Sequence, residues 1–209
     1  MGPTPGRAVT LPTVVGVGRR RPPQLRSLVA TRKSTVAPKL EELRLSDLVA
    51  GDPTSLSAHG GYEAQEYSGA DLTATDLTGA TFSECSFTDI TATRLRLPHA
   101  RLPDTAVRRL DAPTVSAAHA VLRDVLFTDC TIEELHLGEA TAERLAFAGT
   151  EPESLGVVGA ALRNVDLRTL DLRTVPGVTH LGGATMSPLQ IQHLAPLLAR
   201  RQLGITVEE

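Results

Sequence analysis

The sequence predicts an all-β solenoid closed at its C-terminal end by a helical cap. Apolar residues recur at every fifth place from Tyr62 to Leu172, and a smaller residue usually lies two places before each. Hydrophobic residues make up 41% of the chain, yet aromatics are only 3% and Trp is absent. Such an interior suits neither an ordinary sandwich nor a bundle, whose cores hold more large rings. Finally, an apolar stripe behind Ser187-Pro188 reads as a closing helix.

The period comes first. Five is a multiple of neither the helix period of about 3.6 nor the strand period of about 2. The frame runs through Tyr62, Tyr67, Leu72, Leu77, Phe82 and Phe87 and on to Phe127, Phe147 and Leu172 without a slip, with only Pro152 a poor centre. Ala70, Ala80, Cys85, Ala100, Ala120, Cys130 and Ala140 take the smaller place. Two inward residues around one outward residue make a short strand, because side chains alternate along it. Two more outward residues then turn the chain before the next inward pair. Repetition winds it into a filled prism whose coils bury their faces against their neighbours. Phe87, Phe127 and Phe147 are separated by whole multiples of four pentads, with Val107 and Leu167 completing the series. Four edges per coil would stack them into one buried column.

The stretches "ADLTATDLTGATFSECSFTD" (70–89) and "ALRNVDLRTLDLRT" (161–174) resemble the pentapeptide-repeat proteins. That resemblance implies a right-handed quadrilateral β-helix of pentapeptide repeats. It spans about 60–175 and returns at "ATMSP" (184–188) after a frame shift near Pro176-Gly177. Between 98 and 121 there are few Asp-Leu pairs and three prolines, so an irregular or looped coil is expected there.

Four segments follow. Residues 1–38 are expected to be a disordered basic arm, 39–59 an N-terminal capping segment, 60–186 the β-helix and 187–209 the helical cap. Residues 1–40 hold eight of the 21 basic groups and none of the 24 acids, leaving 13 against 24 in the remainder, a balance of -11. The arm lacks sustained periodicity. It reads as a flexible tail or start-site artefact, with weak nucleic-acid binding as the sharper alternative. "KLEELRLSDLVAG" (39–51) is a short helical candidate for covering the first coil. In the cap, Ser187 is an N-cap and Pro188 a first-turn proline. Ile191, Leu194 and Leu198 form the stripe, Pro196 should kink or split the helix, and Gly204 should end it. The cap resembles that of actinobacterial members of the family, which implies a homodimer contact in some relatives.

No catalytic pattern appears, and neither a cofactor nor an enzyme is expected. Asp71 and Asp76 are the ordinary outward acids of the repeat. Cys85 and Cys130 take inward places and read as small buried hydrophobes. His99, His119 and Glu139 follow one another at four-pentad spacing and share a corner, which makes them weak candidate metal ligands without an evident fourth. Glu84, Asp104 and Asp124, with the same spacing, predict an acidic ladder that could serve as an interaction surface. No apolar run approaches the ~20 residues of a membrane-spanning helix, and a cytoplasmic bacterial protein is expected. The function these readings predict is a non-catalytic protein-interaction scaffold with an unknown partner. The resemblance implies an alternative, since some fluoroquinolone-resistance members of the family mimic DNA and bind DNA gyrase.

Overall fold

In the computed structural model, residue 43 and residues 45–202 are described. The basic arm and Gly204 lie outside them.

The strands are short because each edge of the coil holds only one or two inward pairs. In chain order they are β1 Val49–Ala50, β2 Gly61–Glu63, β3 Gln65–Ser68, β4 Thr81–Ser83, β5 Ser86–Thr88 and β6 Arg94–Arg96. Next come β7 Arg101–Arg108, β8 Thr114–Ser116, β9 Val121–Thr128, β10 Glu134–His136 and β11 Thr141–Ala148. The series closes with β12 Ser154–Gly156, β13 Ala161–Arg163, β14 Val165–Asp166, β15 Ala184–Thr185 and the helix α1 Pro188–Gln202.

Every pair is parallel. Through the body each partner lies four pentads further along the chain, as in Leu102↔Leu122, Phe127↔Phe147 and Leu135↔Leu155. This makes a parallel β-solenoid of about seven turns with one C-terminal helix. The first edge of the coil is centred on Tyr62, Phe82, Leu102, Leu122 and Ala142, and the second on Tyr67, Phe87, Val107, Phe127 and Phe147. The third is held by single bridges such as Asp71↔Thr91 and Thr91↔Asp111. The fourth is the sheet of β6, β8, β10 and β12.

The turns exceed those spanned by the frame from Tyr62 to Leu172 because both ends extend it. β1 pairs with β3 at less than a full coil's offset (Val49↔Gln65), and β15 pairs with β14 one place short of a full coil (Val165↔Ala184). The missing place at the C-terminal end is the frame shift read near Pro176-Gly177.

Two local expectations are corrected. Residues 45–51 are not helical. The exposed backbone of β3 takes them instead, through Val49 N–H to the Ala64 carbonyl (2.9 Å) and Gly51 N–H to the Glu66 carbonyl (2.8 Å). Leu43, Leu45 and Leu48 then line a groove with Ser86 and Ala106 on the outer side of the second edge. Ser86 and Ala106 are outward-facing, yet they are buried.

The stretch 98–121 is regular rather than looped, and contains the long strand β7. Its prolines occupy outward places. Pro103 has no N–H to offer the Phe82 carbonyl, and the buried Thr105 hydroxyl donates to that oxygen at 3.1 Å.

The interior is apolar. Tyr67 stacks on Phe87 and Phe127 on Phe147, at 5.1 and 5.5 Å between ring centres. Val107 sits between the two pairs and, being smaller, borders an apolar void of about 20 Å³. Tyr67 donates its hydroxyl proton to Gln65, and burial pushes its pKa up to about 12.

The corners need backbone in the left-handed region, which L-residues with polar side chains adopt most readily. Glu84, Asp104, Asp124, Arg144 and Asn164 hold one corner with φ between 52° and 55°. Gly149 (φ 59°) takes the corner that Asp89, Arg109 and Asp129 hold in the earlier coils. A Cβ there would run into Oδ1 of Asp129, which leans over it from the preceding coil.

At the C-terminal end Ser187 and Gln190 cap α1 reciprocally. Gln190 N–H donates to Ser187 Oγ at 3.2 Å, and Ser187 N–H to Gln190 Oε1 at 2.6 Å. The Gln190 amide nitrogen also donates to the Leu167 and Leu170 carbonyls, both at 2.6 Å, and so fastens the helix to the last coil. Leu194 is buried and Leu198 packs partly against the core, whereas Ile191, which the sequence places in the same stripe, is 46% exposed. Pro196 does not divide the helix.

Candidate interaction surfaces

With the interior filled, polar chemistry is confined to edges and corners. Cys85 and Cys130 are buried free thiols that donate weakly to the Tyr62 and Val107 carbonyls, both at 3.6 Å. Burial pushes both thiols up, away from the reactive thiolate. Asp71 and Asp76 accept from the backbone N–H groups of Thr73 and Thr78 at 2.9 and 3.0 Å, closing local turns.

The predicted ladder does run along one corner, but it is not a uniform carboxylate row. Glu84 is exposed and Asp104 half-buried. Asp124 accepts two hydrogen bonds from the Arg144 guanidinium of the next coil. Arg144 also donates to Glu143 at 2.7 Å. The series therefore ends in an ion-pair network that relieves the repulsion between stacked acids. The neighbouring corner repeats the device, where Arg109 grips Asp89 with contacts of 2.5 and 2.9 Å.

His99 and His119 stack with ring centres 4.7 Å apart and planes within 5°. His119 Nδ1 lies 3.4 Å from Oε2 of Glu139. Parallel rings aim their nitrogens side by side and not at one point, whereas a metal needs convergent donors. The arrangement is a stacked, acid-capped corner, and no metal-holding group of three or more ligand side chains occurs among the described residues.

The concentrated acid lies elsewhere, on the third edge. Its outward places and the corner that follows hold the exposed Asp71, Asp111, Glu133, Glu134, Glu151, Glu153 and Asp171 against Arg94 and Arg173, seven acids to two bases and a balance of -5. Arg173 stands 3.6 Å from Glu153. Reading down the four-pentad columns edge by edge would have found this face.

Several carboxylates are held below their ordinary value of 3.8: Asp71 by the Thr73 hydroxyl, Asp76 by that of Thr78, and Asp89 and Asp166 by the guanidinium groups of Arg109 and Arg168. A folded-state pKa below the unfolded one contributes stability above the unfolded value, lost as pH falls through the folded one. The melting temperature should therefore hold between pH 7 and about 5 and fall below about pH 4. A pH series of thermal melts checks this.

The pentapeptide-repeat family model matches residues 68–103, with eight copies of the repeat. Together with the four-pentad coil, this defines the class: the protein is a parallel β-solenoid whose residues 68–103 match the pentapeptide repeat. Among solved structures it is similar to two trypsin-treated variants of QnrB1, described as a plasmid-mediated fluoroquinolone resistance protein. One is 13% identical over 73% of this chain and 91% of that one, with a TM-score of 0.27. The other is 16% identical over 73% and 93%, with a TM-score of 0.24. No curated protein matches.

Proposed function

We propose that the protein is a non-catalytic interaction scaffold whose outer faces bind a protein partner. The observation that carries this is the separation of the rod into an apolar interior and charge-sorted edges. Among the described residues only Ser86, Thr105 and Thr150 are buried and polar. Thr105 and Thr150 are committed to backbone hydrogen bonds. The described residues include no helix long and apolar enough to cross a membrane, and we place the scaffold in the cytoplasm. The exposed Leu189 and Leu197 of α1, within ~80° of each other around the helix, supply an apolar strip for a homodimer contact.

A second reading, a DNA-mimic regulator of gyrase or another topoisomerase, is favoured by the third edge. About seven turns at a rise of ~4.8 Å give a rod of ~34 Å, close to one turn of duplex at about 34–36 Å. One long side of that rod is acidic. A supercoiling assay with purified gyrase separates the readings. On the mimic reading the protein inhibits, and Glu133→Gln, Glu151→Gln and Glu153→Gln together weaken inhibition severalfold in a salt-dependent way. Absence of gyrase binding by the parent leaves the scaffold with another partner.

A further inference from the structure

We infer that the fourth edge carries a binding site for a phosphoryl group, free or attached to a small ligand. Three rows of side chains build it. β6, β8 and β10 pair in register, so that Arg94↔Thr114↔Glu134 and Arg96↔Ser116↔His136 form two outward columns. Between them Leu95, Val115 and Leu135 point inward and are buried. The middle row is short, Thr and Ser, while the rows on either side are long. This leaves a trough with a hydroxyl floor, lined by Arg94, Arg96, Pro98, Thr114, Ser116 and His136.

The donors match a tetrahedral oxyanion. Two guanidinium groups offer forked N–H donors, and two hydroxyls donate from below. Arg109, Arg144 and Arg168 each meet a carboxylate, but among the described residues Arg94 and Arg96 make no ion pair. The acids beside the trough each have a partner, Glu134 within the trough's own wall and Asp76 on Thr78, although the charge of Asp76 also acts on Arg96. Glu134 Oε2 lies 3.2 Å from His136 Nε2, and Asp76, one coil before Arg96, is bound by Thr78. The walls stand two coil rises apart, ~10 Å. That width accepts one phosphoryl group and is too narrow for a duplex.

The test uses the full chain at constant ionic strength, with inorganic phosphate and O-phosphoserine titrated separately and followed by amide chemical shifts. Saturable binding should shift residues 94–96 and 114–116. Arg94→Gln with Arg96→Gln should weaken it about tenfold or more, with an unchanged melting temperature. Arg101 and Arg108 also make no ion pair among the described residues, so Arg101→Gln with Arg108→Gln is the charge-matched control and should bind like the parent. Tighter binding of the ester indicates a carried phosphoryl group, and tighter binding of phosphate indicates the free anion. Either supports the site. Equal loss in the control pair, shifts confined to other residues, or no preference over chloride overturns it.

Discussion

Phe127→Asp abolishes cooperative unfolding. Phe127 is 4% exposed, paired in register between Val107 and Phe147 and stacked on the latter. Its ring contributes about 1.5–3 kcal/mol by burial alone, and a carboxylate in its place would be a buried charge without a partner. A solenoid coil has no contacts beyond its neighbours, so damage in the middle separates the two halves. Thermal melts by circular dichroism should show a broad, weak transition in place of a single one. A variant that melts like its parent would mean that residue 127 does not face inward, and the four-pentad frame would fail with it.

Gly183→Ala loosens the C-terminal closure. Gly183 has φ 94°, and a Cβ there would collide with the Leu162 carbonyl oxygen. That oxygen belongs to backbone and cannot swing aside as a flexible side chain would. The strain and the clash together should cost about 2–4 kcal/mol. The loss should be local, because the following Ala184–Thr185 pairs with β14 and leads directly into the helix cap. Hydrogen exchange is the suitable readout. Protection should fall from residue 165 onward while β7 and β9 keep theirs. Uniform loss along the rod, or none, would contradict the local account.

Most of the interior could be read from the sequence because the inward frame is strict. Tyr67, Phe87, Val107, Phe127 and Phe147 fall into one column by counting alone. The outward surface was harder, since its side chains choose partners in three dimensions. Extending Glu84, Asp104 and Asp124 by one more coil reaches Arg144, and that step turns an acidic ladder into an ion-pair network. The third-edge acids were hidden for a related reason. Their columns alternate, with Asp71 followed by Thr91 and Asp111 by Thr131, so no single column is a continuous run of acid.

The strand at Val49–Ala50 was obscured by a local pattern that suits a helix. It forms because β3 offers unpaired backbone groups, a tertiary opportunity that propensity does not record. Gln190 could have been found. It stands three places after Ser187, the spacing at which an N-cap and a Gln satisfy each other's backbone.

The four-edged coil places every charged face described above, so the most direct measurement tests the coil itself. Thr81 and Ala161 stand four coils apart in one outward column, linked through Arg101, Val121 and Thr141. Spin labels at Thr81→Cys and Ala161→Cys, in a background where Cys85 and Cys130 are replaced by Ala, report their separation by pulsed electron resonance. Alanine already stands at the same smaller inward place of the pentad in Ala70, Ala80, Ala100, Ala120 and Ala140, so that background should fold normally. Four coils at ~4.8 Å predict a backbone separation of ~19 Å with a single narrow distribution. A separation of ~26 Å or more, as a coil of three edges would give, or a broad distribution would contradict the four-edge coil and the charge-sorted surfaces built on it.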